Sequence, residues 1–178
     1  KGRLLFGMDR ALPSIRKRRQ ALIVEGHMDA ISLHAAGITW AVASMGTAFT
    51  EYQAKLLKRV TPEVIFCFDS DNAGRNAAMR SIPIALAVGL ECRVMHVTDG
   101  KDPDEFIRKD GQEAFLSLLD QAKGGIDYEV DTVLSRSDVT TLSGKVGAVS
   151  EILPFFKDCR SDVEVGERIR DLSRRLVL

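Results

Sequence analysis

The stretch VIFCFDSDNAGRNAAMR, residues 64–80, decides how the chain folds. Val64 to Phe68 are apolar and rich in β-branched and aromatic types, as in a buried strand. Two acids one residue apart, Asp69 and Asp71, follow at once, and a helix-forming run opens behind them. Like charges this close raise one another's proton affinity. A cation held between them removes that penalty, so the question is whether other parts of the chain supply ligands to the same place.

Working outward, ALIVEG (21–26) reads as a second buried strand, and HMDAISLHAAG (27–37) as a short helix stopped by Gly37. ITWAVASMG (38–46) is strand-like. TAFTEYQAKLLKRV (47–60) has helical spacing, with Thr47 or Thr50 able to cap it. After strand 64–68 come a helix over 73–88 with a stop at Gly89, a strand in LECRVMHV (90–97), and a helix opening at Pro103. Four strand-helix alternations with short connections predict a parallel sheet with helices on both faces. Past Gly124-Gly125 only helices are expected, over about 127–136, 142–158 and 161–177, with Pro154 kinking or shortening the middle one.

In open parallel α/β sheets, ligands bind beyond the carboxyl ends of the strands. Glu25 ends the first strand, Asp69 and Asp71 follow the third, and Asp102 and Asp104 follow the fourth. Asp29 falls in the first turn of the helix after Glu25. Taken singly, Asp29, Asp69 or Asp71 could merely cap the next helix. Together they make an oxygen-only cluster suited to Mg²⁺ or Mn²⁺ rather than zinc. Gly26 and Gly74 fit tight turns or a close approach of backbone to a ligand. His27 reads as a loop histidine, and His34 and His96 as structural.

The 178 residues allow one α/β domain with a small appendage, and 45% apolar content supports a packed core. No apolar run approaches the roughly 18 residues of a membrane span, and no apolar segment directly follows the basic start, so neither an anchor nor a signal peptide is expected. Cys67, Cys92 and Cys159 form no CxxC pair, which argues against zinc and disulfides and for a reducing cytoplasm. Net charge is zero, yet the start is basic: Lys1, Arg3, Arg10, Arg16, Lys17, Arg18 and Arg19 against Asp9 alone. Such a run serves either as a solvated face or as a phosphate contact. Leu4, Leu5 and Phe6 give it an anchor, so it is expected to fold alongside the acids.

EGHMD (25–29) followed by DSDNAG (69–74) resembles the Toprim signature, which has a glutamate at the first strand end and DxD at the third. DNA primases, topoisomerases, some nucleases and recombination mediators share that domain. KGRLLFGMDRA (1–11), ALIVEGHMDAISLHAAGI (21–38), AVASMGTAFT (41–50) and KDPDEFIRKDGQEAF (101–115) resemble the RNA polymerase core of bacterial replicative primases of the DnaG type. LSGKVGAVSEILPFF and VEVGERIRDLSRRL are similar to its C-terminal helical subdomain. Ser70 and His27 stand where that family more often has glycine and an aromatic residue.

The resemblance implies a Toprim, Rossmann-like core with a four-stranded parallel sheet. Residues 1–19 would be a basic lead-in ending the N-terminal polymerase subdomain, 20–124 the catalytic domain and 125–178 the helical subdomain. It implies synthesis of short RNA primers from NTPs on single-stranded DNA during bacterial chromosome replication, in the cytoplasm. Glu25 would act as general base and metal ligand, Asp69 would bridge two Mg²⁺ or Mn²⁺ ions, and Asp71 would hold the second. Asp29, Asp102 and Asp104 would support them, and Lys1 and Arg3 would face phosphates or template. The family's zinc-binding module, N-terminal basic subdomain and helicase-binding domain are expected outside these residues, so zinc and the replicative helicase would engage the protein elsewhere. The competing readings are a topoisomerase or nuclease, and a non-catalytic nucleic-acid-binding module. For the topoisomerase, Tyr52 and Tyr128 lack a recognisable cleavage context. Against the binding module, the retained acids serve no purpose.

Overall fold

The structure is a computed structural model that describes residues 2–45, 48–97, 102–159 and 161–177. The chain forms two compact units, Lys1–Gly125 and Ile126–Leu178. In the first, strands β1 (Gln20–Val24), β2 (Ala41–Ala43), β3 (Glu63–Phe68), β4 (Glu91–His96) and β5 (Lys123–Gly124) form one sheet in the order β2-β1-β3-β4-β5. The first four are parallel, as expected, and their registers include Leu22 against Ala41, Ile23 against Phe66 and Phe66 against Val94. The two-residue β5 adds an antiparallel edge beside β4. It lies where the strand-helix alternation stops, and a run this short carries no periodicity to read.

Helices α1 (Met8–Arg18), α2 (His27–Ala35), α3 (Glu51–Lys58), α4 (Asn72–Ala87) and α5 (Pro103–Asp120) surround the sheet. α2 packs with α5 and α3 with α4, which covers the two faces. β1 is buried from Ala21 to Val24 and β3 from Val64 to Phe68. Each large apolar side chain removed from water contributes about 1.5–3 kcal/mol, which is why these strands hold together. Phe49 meets Phe66 edge-on at 5.2 Å between centroids. Thr50 caps α3, accepting from the Gln53 amide at 3.2 Å while Gln53 Oε1 accepts from the Thr50 amide at 3.0 Å. Thr47 lies outside the described residues. Gly111, at φ 80, breaks α5 inside what the sequence reads as one helix.

Two segments differ from the sequence reading. The second strand is three residues long, because Ile38 to Trp40 form the turn that enters it. The basic lead-in contains α1, whose inner side buries Ala11 and Ile15 and which keeps Pro13 within it. Charges crowding the helix hide that apolar stripe in the sequence. Ahead of α1, Phe6 pairs antiparallel with Ala43, and Leu5 is buried. The start of the segment is therefore anchored at the carboxyl edge of the sheet. The 16–19 cluster, which precedes β1 directly, lies at the opposite edge.

The second unit contains α6 (Gly125–Arg136), α7 (Leu142–Ile152), a 3₁₀ turn (Leu153–Asp158) and α8 (Asp162–Leu176). Pro154 falls where α7 tightens into the 3₁₀ turn. Arg168 joins α8 to α6 through Asp127 at 2.6 Å, and Arg175 does so through Asp131 at 2.6 Å. Glu129 is buried, and burial first, then Asp158, push its carboxyl up to about 8 against a pull from Lys157. A group protonated in the fold and ionised in the unfolded chain lowers stability as pH rises from the ordinary carboxyl range toward 8. Glu129→Gln is expected to flatten the fall in melting temperature between pH 5 and 8. Melting curves of both proteins across that range check this, and equal slopes would contradict it.

Candidate active site at the carboxyl edge

The chain leaves β1 for β2 on one side of the sheet and later leaves β3 for β4 on the other. The carboxyl ends of β1 and β3 thus flank the point where strand order reverses, the place where open α/β sheets form a ligand crevice. Glu25 follows β1 there and Asp69 follows β3. The Asp69 backbone amide donates to the Glu25 carboxylate, so the two strand ends are tied directly. Glu25 Oε1 is buried without a hydrogen-bond partner among the described residues. A buried carboxylate oxygen left in this way is costly unless a ligand satisfies it.

The surrounding acids raise the cost further. Burial first, then Glu25, Asp29, Asp102 and Asp71, push the Asp69 carboxyl up to about 6. Glu25 is raised by burial first and by Asp71 and Asp29, against the Asp69 amide and Arg80. Asp29 is raised by burial first and by Asp102 and Asp104, against the Gly26 and Asp104 amides. The acids of three strand ends therefore share one electrostatic neighbourhood.

Several of them also serve the local fold. Asp71 caps α4, its Oδ1 accepting from the Gly74 amide at 2.8 Å. Asp102 caps α5 through the Glu105 amide at 2.7 Å, and Asp29 accepts from the Gly26 amide at 2.9 Å. Asp104 accepts from the Ser32 hydroxyl and pairs with Arg108 at 2.8 Å. Asp71 is exposed, whereas Glu25 and Asp69 are half-buried. Among the described residues, no three acids, histidines or cysteines are arranged to hold a metal ion as they stand. The orphaned Glu25 oxygen and the all-oxygen donor set nevertheless fit a hard divalent cation that completes its shell with water and substrate oxygens.

Lys1 lies outside the described residues. Arg3 stands over the Tyr52 ring at 5.7 Å on the exposed start of α3. His27 is exposed with its ring 6.0 Å from Phe6, and His34 holds the Ala41 carbonyl at 2.9 Å. Sequence reasoning missed Arg80, whose charge reaches Glu25 from α4. It also missed Met45, at φ 69, whose amide donates to the Glu25 carbonyl at 3.2 Å. Neither carries a local signal, since the rotation of α4 and the path of the loop after β2 are set by tertiary packing.

Gly74 is required for the β3–α4 turn. A Cβ there would lie 2.1 Å from the Asp69 carbonyl oxygen and 2.9 Å from its nitrogen. The glycine lets the first turn of α4 close over the backbone that carries the acid.

The fold and this edge define a Toprim domain, and residues 22–107 match the Toprim-like family. The chain belongs to the DnaG-type bacterial DNA primases. A DNA primase of Clostridium acetobutylicum is 39% identical over 168 residues, 93% of this chain and 28% of that protein. The Escherichia coli primase catalytic core superposes with a TM-score of 0.86 at 35% identity, over 99% of this chain and 57% of that one. A DnaG primase catalytic domain bound to single-stranded DNA superposes at 0.87 with 33% identity, over 99% and 57%. The chain thus spans about a quarter of the length of the curated relatives it matches. Residues 126–177 match the DnaB-helicase binding domain of primase. This match falls within the sequence, where the family's helicase-binding part was expected to lie elsewhere, and the catalytic-core structures cover the same residues at 99% of this chain.

Two substitutions probe the edge. Gly74→Ala is expected to destabilise the fold by about 1–3 kcal/mol through the forced shift of Asp69, as chemical denaturation would show. Asp69→Asn should act in the opposite sense. The raised Asp69 carboxyl lowers stability as pH climbs from its ordinary value through about 6. In chelator-treated buffer at pH 8, Asp69→Asn is therefore expected to melt higher than the native chain and, near pH 4, at the same temperature.

Proposed function

We propose that this chain is the catalytic core of a primase that makes short RNA from NTPs on single-stranded DNA, using divalent cations. The observation that carries the reading is Glu25 facing Asp69 across the β1/β3 reversal, with proton affinity raised on both and one Glu25 oxygen unsatisfied among the described residues. A purely structural edge gains nothing from that arrangement, whereas a phosphoryl-transfer site needs concentrated negative charge to collect cations and substrate polyphosphate.

Glu25 and Asp69 would hold Mg²⁺ or Mn²⁺, with Asp71 contributing the carboxylate oxygen that does not cap α4. Bound there, the cations would supply charge neutralisation for the attacking and leaving oxygens. Glu25 is also the group suited to accept the proton of the attacking 3′-hydroxyl, because burial lifts its affinity toward the working range. Asp29, Asp102 and Asp104 would act through water or by orienting the loops after β1 and β4. Lys1 and Arg3 would offset phosphate charge, Arg3 from its perch on Tyr52.

The 126–177 unit would meet the replicative helicase, as its family description implies. Primase action on a chromosome would place the protein in the bacterial cytoplasm. Among the described residues no helix is long and apolar enough to cross a membrane.

Mn²⁺ is expected to raise the melting temperature of the native chain at pH 8, to do little at pH 5, and to leave Asp69→Asn unmoved. In the full-length protein, Asp69→Ala should abolish primer synthesis, and Asp29→Ala should cost about 10–100-fold, as for a supporting residue. Equal losses in a primer-extension assay with labelled NTPs would remove the distinction. Failure of Mn²⁺ to stabilise the native chain would refute the cation site.

A further inference from the structure

The basic cluster 16–19 is not absorbed by the acid edge, because α1 ends at the amino end of β1. There it meets the end of α3. Arg16, Arg19 and Lys58 line one open cleft of about 320 Å³ with Val60, Thr61 and Pro62. Lys17 and Arg59 stand beside them in sequence, and all five cations are exposed.

Their charge is left over. Among the described residues, Arg16, Lys17, Arg19 and Arg59 make no ion pair or side-chain hydrogen bond, and Lys58 bonds only the Gly89 carbonyl. Elsewhere Arg93, Arg108, Arg136, Arg168, Arg170 and Arg175 are each matched to a carboxylate. Acids do open the neighbouring strands. Glu63 is occupied by Arg93 at 2.6 Å and by Gln20 at 2.8 Å, and Glu91 is exposed at the start of β4.

Two further features shape the cleft. Arg19 has φ 59, a left-handed conformation that glycine or asparagine would adopt with less strain, yet the position holds a long cation. Arg18 takes a different part: its guanidinium lies 3.7 Å over the ring of Trp40, which fixes the end of α1 against the entrance to β2. Cations at a helix C-terminus do complement its dipole. One or two per helix suffice for that, and here two helix ends direct theirs to a shared opening.

We propose that this cleft binds the phosphate backbone of single-stranded DNA, as a second contact away from the acid edge. The inference rests on the primase reading, which supplies the polyanion. The two edges lie roughly the length of β1 apart, about 17 Å at 3.3 Å per residue, so a strand held at both would pass over the helices that cover the sheet. Contact through phosphates alone would be indifferent to base sequence.

The test is the salt dependence of oligo-dT binding to the chain, measured by anisotropy over a KCl series without divalent cations. Each phosphate contact on a single strand contributes about 0.7 to the slope of log K against log salt. R16E/R19E is expected to lower the slope by about 1.4 and weaken binding roughly tenfold or more at low salt. Trp40 is the single tryptophan, so its emission should change on DNA addition in the native chain and not in the variant. Should R16E/R19E melt at a lower temperature, R16Q/R19Q provides the same reading with less repulsion. Unchanged slope and affinity, with or without a lower melting temperature, would overturn the proposal and leave the cations a dipole role. Stabilisation by Mn²⁺ should persist in both variants. Its loss from the native chain would count against the primase reading instead, so the two failures are distinguishable.

Discussion

The parallel pairing of β1 with β3 is the constraint from which the site follows. With Ile23 held against Phe66, the first residue past β1 arrives beside the end of β3, and the Asp69 amide can reach the Glu25 carboxylate. A one-residue slip would turn every side chain of β1 to the other face and carry Glu25 away from Asp69. The register is secured because both strands are buried along nearly their whole length, so a slipped pairing would sacrifice core packing. The hydrophobic core thus maintains a pair of carboxylates that repel each other.

Capping and ligand binding are compatible at this edge. Asp71, Asp102 and Asp29 each give one oxygen to a backbone amide at the start of a helix. Among the described residues the other oxygen of Asp71 and of Asp102 remains for a cation or its water, whereas Asp29 also meets the Asp104 amide. The helix starts hold the carboxylates in place and contribute positive partial charge, which eases the crowding of acids. Among the described residues Asp69 has no such cap, and it is the carboxylate whose proton affinity rises to about 6. The cost of ionising the cluster falls on the residues expected to meet the ions.

Much of this was legible in the sequence. Apolar runs flanked by glycine stops gave the four parallel strands, and acids at their ends gave the edge. The capping and ligand readings of Asp71 could not be separated by sequence, because both need the same carboxylate at the same turn. α1 escaped because its buried face is only Ala11 and Ile15 among arginines and lysines. The division of the basic segment between the two sheet edges escaped for the same reason: without a helix to span it, residues 3 and 16 read as sharing one location. The Arg80 contribution at Glu25 depends on how α4 is rotated against β3, which no local pattern encodes.

The most direct test of the central claim is paramagnetic broadening by Mn²⁺ in the ¹⁵N-labelled chain at pH 7.5. At substoichiometric metal, amide signals of Glu25, Gly26 and Asp69 to Asp71 should vanish first, while those of Arg19, Lys58 and Val60 at the opposite edge persist. Broadening spread evenly over the exposed acids, or starting at α8, would show that the carboxyl edge is not a cation site.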